Sequence, residues 1–158
     1  MLQQGSTALL DEPAAQELLH STIPARLAYV ARDGTPRVVP IWFHWNGSEI
    51  VMATPGIAPK VRELQANPSV ALTIDSNVNP AKVLMIRGRA DLSFVDGLVQ
   101  EYELAAARYF GADQGKQWCD MLRGVPGMRM CRIAVGPAWV GLLDFQTRFP
   151  QFLEPLFR

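Results

Sequence analysis

Soft metal ligands are scarce in this 158-residue chain, which holds two cysteines and two histidines. Cys119 and Cys131 cannot build a disulfide framework, and with His20 and His44 they show no metal-ligand spacing. A metal-free protein is expected. Net charge is absent too: fifteen basic residues, only three of them lysines, balance fifteen acidic ones. No global field exists to hold a nucleic acid or an anionic membrane, so any anion site must be local. Long apolar runs are also missing. The longest, residues 133–143, is broken by Gly136, Pro137 and Gly141 and falls short of the roughly 20 residues a spanning helix needs. The first basic residue is Arg26, which leaves the N-terminus without the charged region of a signal peptide. Together these absences predict a cytoplasmic protein with neither nucleic acid nor membrane as a partner.

What is present suffices for a core: the chain is 49% hydrophobic and only 19% charged, and its length suits one domain spanning 1–158. Leu10, Ala14 and Leu18 make an apolar stripe on an opening helix that Asp11 can cap and Pro13 can start. Pro24 ends it. Residues 26–31 read as a strand, Asp33 and Gly34 as a turn, and 37–45 as one long strand. Asn46-Gly47 is a strong hairpin signal with 48–54 as its return, so a three-stranded meander is expected. A short helix begins at Pro59 and stops at Asn67-Pro68, and Val70, Leu72 and Ile74 then alternate as a half-buried strand. Another strand covers 82–91. Val95, Leu98, Tyr102, Ala105 and Tyr109 recur at helical spacing up to Gly111, and Trp118, Met121 and Leu122 share a face of a second helical piece. Two last strands, 128–135 and 138–144, flank Gly136-Pro137. The pattern predicts a mainly β, α+β chain of six to seven antiparallel strands closed as a small barrel, with a few short helices.

Catalytic motifs are mostly missing. There is no Gly-x-Ser-x-Gly elbow, no Gly-rich phosphate loop and no His-Glu-x-x-His. Cys119 and Cys131 sit among apolar neighbours, where a thiol is usually inert core. His44, alone on its strand, reads as a hydrogen-bonded structural residue. No catalytic side chain is assigned, so any reaction would be carried by a cofactor. The informative stretch is 52–64. There a strand ends in the Thr54 hydroxyl, Pro55-Gly56 turns, and a helix starts with cations at Lys60 and Arg62. Free amides and the positive end of the helix dipole favour an anion at that point, and hydroxyl and cations add charge-assisted bonds. A mononucleotide phosphate would fit. Equally, Lys60 and Arg62 are what a solvated surface helix carries.

Residues 26–91 resemble the flavin-binding split β-barrel of the pyridoxamine 5′-phosphate oxidase-like superfamily, specifically its small flavin- and deazaflavin-dependent reductases. The resemblance rests on Asp33-Gly34, the run from Arg37 to Phe43, and Asn46-Gly47. It continues with Thr54 and Lys60 six apart, Asn67-Pro68-x-Val70, and Ile86-Arg87-Gly88-Arg89-Ala90. It implies a homodimer with two cofactor sites at the interface, and phosphate binding by Thr54 and Lys60. It also implies that the isoalloxazine lies along the strand from Val38 to Trp42, with Val38, Val39, Pro40 and Ile41 as its binding residues. Two departures stand out. Ala58 and Pro59 occupy the places of a Ser-Arg pair that the oxidase uses for phosphate, with Arg62 nearby, and residues 149–158 lack the oxidase's substrate-binding pattern. Pyridoxamine phosphate is therefore not the expected substrate.

The cofactor implied is FMN, whose single terminal phosphate suits a compact pocket; the alternative is the deazaflavin coenzyme F420, whose longer anionic tail would draw on Arg62 and Arg87. Arg87 equally suits a surface carboxylate. Trp118 and Trp139 are either core residues or covers for a ring across the interface. Two functions follow: an oxidoreductase passing hydride between bound FMN or deazaflavin and a small organic acceptor, or a non-catalytic flavin- or haem-type binding protein.

Overall fold

The computed structural model describes residues 1–157. A 3-10 turn over Thr7–Asp11 leads into α1 (Pro13–Leu19), which starts on Pro13 as expected but takes Glu12 rather than Asp11 as its cap residue. Seven strands follow in one antiparallel sheet: β1 (Ala25–Val30), β2 (Pro36–Ile41), β3 (His44–Trp45), β4 (Ile50–Pro55), β5 (Ser69–Asp75), β6 (Val83–Asp96) and β7 (Arg129–Leu143). Three further helices are α2 (Pro59–Ala66), α3 (Gln100–Phe110) and α4 (Ala112–Arg123). The strand order is β2-β1-β5-β6-β7-β4-β3. This is the expected α+β split-barrel arrangement.

Three local readings are corrected by it. Residues 37–45 are not one strand. β2 pairs with β1 at one edge of the sheet and β3 pairs with β4 at the other, with Trp42 and Phe43 carrying the chain between them. Pro36 and Pro40 cannot donate to a second partner, and only an edge strand tolerates that. The expected meander is therefore two hairpin pairs at opposite ends of the sheet order. Secondly, Val95 belongs to β6 rather than to a helix, because β7 is long enough to pair with β6 as far as Asp96. Thirdly, Gly136-Pro137 does not split β7. The ladder slips by one residue there, so that Arg87 faces Trp139 and Gly88 faces Pro137. A Cβ on Gly88 would stand 2.6 Å from the Gly136 carbonyl oxygen, so the bulge needs glycine.

Alternation places Leu72, Ile74, Leu84, Ile86, Ile133, Val135 and Val140 on the inner face of the sheet, where Leu18 and Leu19 of α1 and Phe43 close the core. A smaller cluster of Ala53, Val99 and Met130 lies on the other face of β4 and β7. It is covered by the start of α3. Helices α3 and α4 meet at Gly111, whose φ of 87° suits the reversal between them.

Candidate active site at the β4 end

Near the end of β4 Thr54 is buried, and Pro55-Gly56 returns the chain to the start of α2. Ala58, the residue before that helix, has no side-chain oxygen to cap it. The loop brings residues 54 and 60 together: the Lys60 ammonium donates to the Thr54 hydroxyl oxygen at 3.2 Å. Burial drives the Lys60 pKa below its ordinary value. Among the described residues no carboxylate pairs with it. A half-buried cation whose one partner is a hydroxyl gains from any anion placed beside it.

These two residues form one end of a cleft of about 470 Å³, walled by Pro40, Ile41, Trp42, Ala53, Tyr102, Phe110 and Trp118. The aromatic wall holds itself in place. Trp42 stacks on Tyr109 at 5.0 Å between ring centres and meets Phe110 edge-on at 4.7 Å. The Trp118 indole N–H donates to the Tyr102 hydroxyl at 2.9 Å, and burial raises the Tyr102 pKa. The Tyr109 hydroxyl donates to the Ile23 carbonyl at 3.1 Å, while the Arg108 guanidinium donates to the carbonyls of Ser21 and Phe43. Helix α3 is thereby tied to the crossing between β2 and β3. On its first turn Glu101 accepts from Arg132 of β7 at 2.7 Å, and that hydrogen bond holds its carboxyl below the ordinary glutamate range. No lining residue of the cleft is a carboxylate or an imidazole.

Of the residues singled out in the sequence, Pro40, Ile41, Thr54 and Lys60 share this cleft. Val38 and Val39 lie farther along β2 and are not in its wall; Val38 is 65% exposed. Arg62 is exposed on α2, and Arg87 is exposed on β6 with its guanidinium 3.9 Å over the Trp139 ring. Neither reaches the Lys60 cleft in this chain. Trp118 walls the cleft of its own chain, whereas Trp139 stands apart against Gly5. Tyr102 and Phe110 are not legible as site residues in the sequence, whereas Trp42 ends the strand expected to carry the ring and stands in the cleft wall. The one signal for Tyr102 is its place on the apolar stripe of α3, which equally describes core, and Phe110 lies outside that stripe. His44 departs from its expected role, for its Nδ1 is buried with no hydrogen-bond partner among the described residues. Burial lowers its pKa, with the Arg108 charge adding to the effect. Both thiols are buried, and that burial raises their pKa values, as suits inert core cysteines.

Comparison with known proteins agrees with this architecture. The sequence matches the pyridoxamine 5′-phosphate oxidase family over residues 11–134, most of the chain. The chain belongs to that family. Among curated proteins no relative matches it. Among solved structures, an F420 reductase is 27% identical with a TM-score of 0.63, over 80% of this chain and 94% of that one. A conserved hypothetical protein from Mycobacterium tuberculosis superimposes with a TM-score of 0.67 at 16% identity, over 91% of each chain. HutZ, the haem storage protein from Vibrio cholerae, gives 0.59 at 21% identity, over 84% of this chain and 93% of its own. The last two likenesses show the family fold alone. Among the described residues no helix is long and apolar enough to cross a membrane.

Proposed function

We propose that residues 1–158 act as one flavin-binding domain, an oxidoreductase that uses FMN, or alternatively deazaflavin F420, to pass hydride to or from a small organic acceptor. The observation that carries this reading is the half-buried Lys60 ammonium on the buried Thr54 hydroxyl, with no carboxylate paired to it among the described residues, at the head of an aromatic cleft. These residues fit a cofactor phosphate: a charged donor and a hydroxyl stand ready, and an anion would offset the cost of burying the ammonium. The cofactor, when bound, supplies the hydride chemistry. The chain's part is to hold the phosphate, to lay a ring between Pro40 and Ile41 of β2 and the Trp42 wall, and to keep water from it. The likeness to an F420 reductase at 27% identity supports the deazaflavin form of the reading. A single cation in the cleft supports FMN, which ends in one phosphate.

A homodimer with the cofactor at its interface belongs to the same proposal. Strand β2 is an edge with Val38 exposed, and Phe152 of the tail is 78% exposed. A second copy would cover both. The second reading, a flavin- or haem-type binding protein without turnover, draws support from the absence of any carboxylate or imidazole in the cleft wall.

Titration tests the cofactor site that both readings share, and turnover decides between them. Charge-assisted bonds contribute about 1.5–3 kcal/mol, so Lys60→Ala should weaken FMN or deazaflavin roughly ten- to a hundredfold. Unchanged affinity for both would remove the phosphate site. If the bound chromophore cycles with an electron donor and an acceptor, the protein is an oxidoreductase; a chromophore that binds but stays inert marks the non-catalytic form.

A further inference from the structure

The side chains around the Lys60 cleft offer hydrogen-bond donors and no spare acceptor. Its polar members are Trp42, Thr54, Lys60, Tyr102 and Trp118. An ammonium and an indole N–H can only donate. A hydroxyl can also accept, but both hydroxyls already do so: Thr54 accepts from Lys60 at 3.2 Å, and Tyr102 accepts from the Trp118 indole at 2.9 Å. Among the described residues no acceptor takes either hydroxyl proton. We infer that Tyr102 recognises the cofactor ring, its hydroxyl donating to a ring carbonyl oxygen. The inference deepens the cofactor reading above and rests on it, since Thr54 and Lys60 make the phosphate end and leave the ring to the aromatic wall.

Three features give Tyr102 that part. The Trp118 bond occupies a lone pair of the Tyr102 oxygen, so the hydroxyl proton must turn away from the indole. The phenol ring is fixed as well, with its centre 5.9 Å from that of Trp42. Burial raises the Tyr102 pKa above the ordinary tyrosine value, which keeps the hydroxyl protonated and a donor at neutral pH. The rest of the wall is apolar in its side chains, with Pro40, Ile41, Ala53 and Phe110 among them. In the open cleft water accepts the Tyr102 proton. A ring that displaces this water must bring an acceptor of its own, or it leaves a buried donor unpaired. The rings of FMN and of a deazaflavin meet that demand equally, because both carry two carbonyl oxygens along one edge.

The test is equilibrium dialysis of the full chain against FMN, F420, 2-thio-FMN and 4-thio-FMN. In each thio compound sulfur, a weak acceptor, replaces one ring oxygen. Tyr102→Phe should weaken whichever of FMN and F420 the wild type binds by roughly three- to tenfold, the range of one neutral hydrogen bond. The wild type should bind one of the two thio compounds more weakly than FMN by a similar factor, and Tyr102→Phe should abolish that difference. Lys60→Ala is the control: it should weaken FMN through the phosphate and keep the preference for oxygen in full. Cofactor affinity within twofold of wild type in Tyr102→Phe overturns the inference. So does a preference for oxygen that is missing from the wild type or survives in Tyr102→Phe, and either result leaves the phosphate site standing. Failure of both FMN and F420 to bind the wild type, by contrast, sinks the cofactor reading and this inference with it.

Discussion

Gly115 lies in α4 where that helix presses on α3, and replacing it with alanine sets two effects of opposite sign against each other. In an open helix the change from glycine to alanine stabilises by about 0.8–1.0 kcal/mol. Here a Cβ at position 115 would stand 2.7 Å from the carbonyl carbon and oxygen of Ala106 and from the amide nitrogen of Ala107. These are backbone atoms of a neighbouring helix, next to the fully buried Ala106, and they cannot swing aside as a side-chain tip would. Overpacking of that kind costs about 1–3 kcal/mol. Contact with rigid backbone at 2.7 Å puts the cost in the upper part of that range, about 2–3 kcal/mol, and the net expectation is a loss of about 1–2 kcal/mol. For a chain of this length that lowers Tm by about 2–8 °C. Thermal melts of Gly115→Ala beside the exposed control Gln114→Ala, expected to be near neutral, would measure it. The same displacement should loosen the Trp118–Tyr102 bond, one turn farther along α4, and alter tryptophan emission. A Tm equal to or above that of the wild type would refute the close approach of α3 and α4, and with it the rigidity of the aromatic wall.

Glu101, held below its ordinary pKa chiefly by the Arg132 hydrogen bond, contributes stability above the unfolded glutamate range and loses it as pH falls through the lower folded value. Glu101→Gln should therefore cost about 1 kcal/mol at pH 7, allowing for partial exposure, and the gap from wild type should close in acid; urea melts showing a pH-independent gap would exclude this role. Arg87, stacked on Trp139 outside the cleft, should matter little for FMN: Arg87→Ala is expected to leave its Kd within twofold while weakening a deazaflavin with a longer anionic tail. Equal losses for both cofactors would bring Arg87 into the phosphate site. Sedimentation should find a dimer at micromolar concentration, and a stable monomer would count against an interfacial cofactor site.

Much of the candidate site was readable because its parts are close in the chain. Thr54 and Lys60 are six residues apart, and a strand end, a Pro-Gly turn and a proline-started helix leave the connecting chain little freedom. Their meeting at 3.2 Å follows from local geometry. The hairpin at Asn46-Gly47 and the stop at Asn67 are local in the same sense: Gly47 takes a φ of 98°, and Asn67 closes α2 with its amide on the Glu63 carbonyl. Alternation likewise identified the inward residues Val70, Leu72 and Ile74 of β5, because one face of that strand must leave water.

What tertiary structure decided depends on partners distant in sequence. The break at Trp42-Phe43 exists because β2 and β3 find their partners at opposite edges of the sheet, and the Phe43 carbonyl is taken by Arg108 from α3. Val95 has helical spacing with Tyr102, yet pairing with Met130 across β7 outweighs that local preference. The aromatic wall brings together residues from β2–β3, α3 and α4 that no short-range pattern links. Arg87 and Lys60 are both cations of the same motif series, but the ladder sends one to Trp139 and the turn sends the other to Thr54. By itself the sequence determined the turns, the strand β5 and the meeting of Thr54 with Lys60, since each is set by torsional preference and periodicity over a few residues. Only the assembled sheet and its helices decided what else lies beside that pair, because burial and strand register depend on partners distant in the chain.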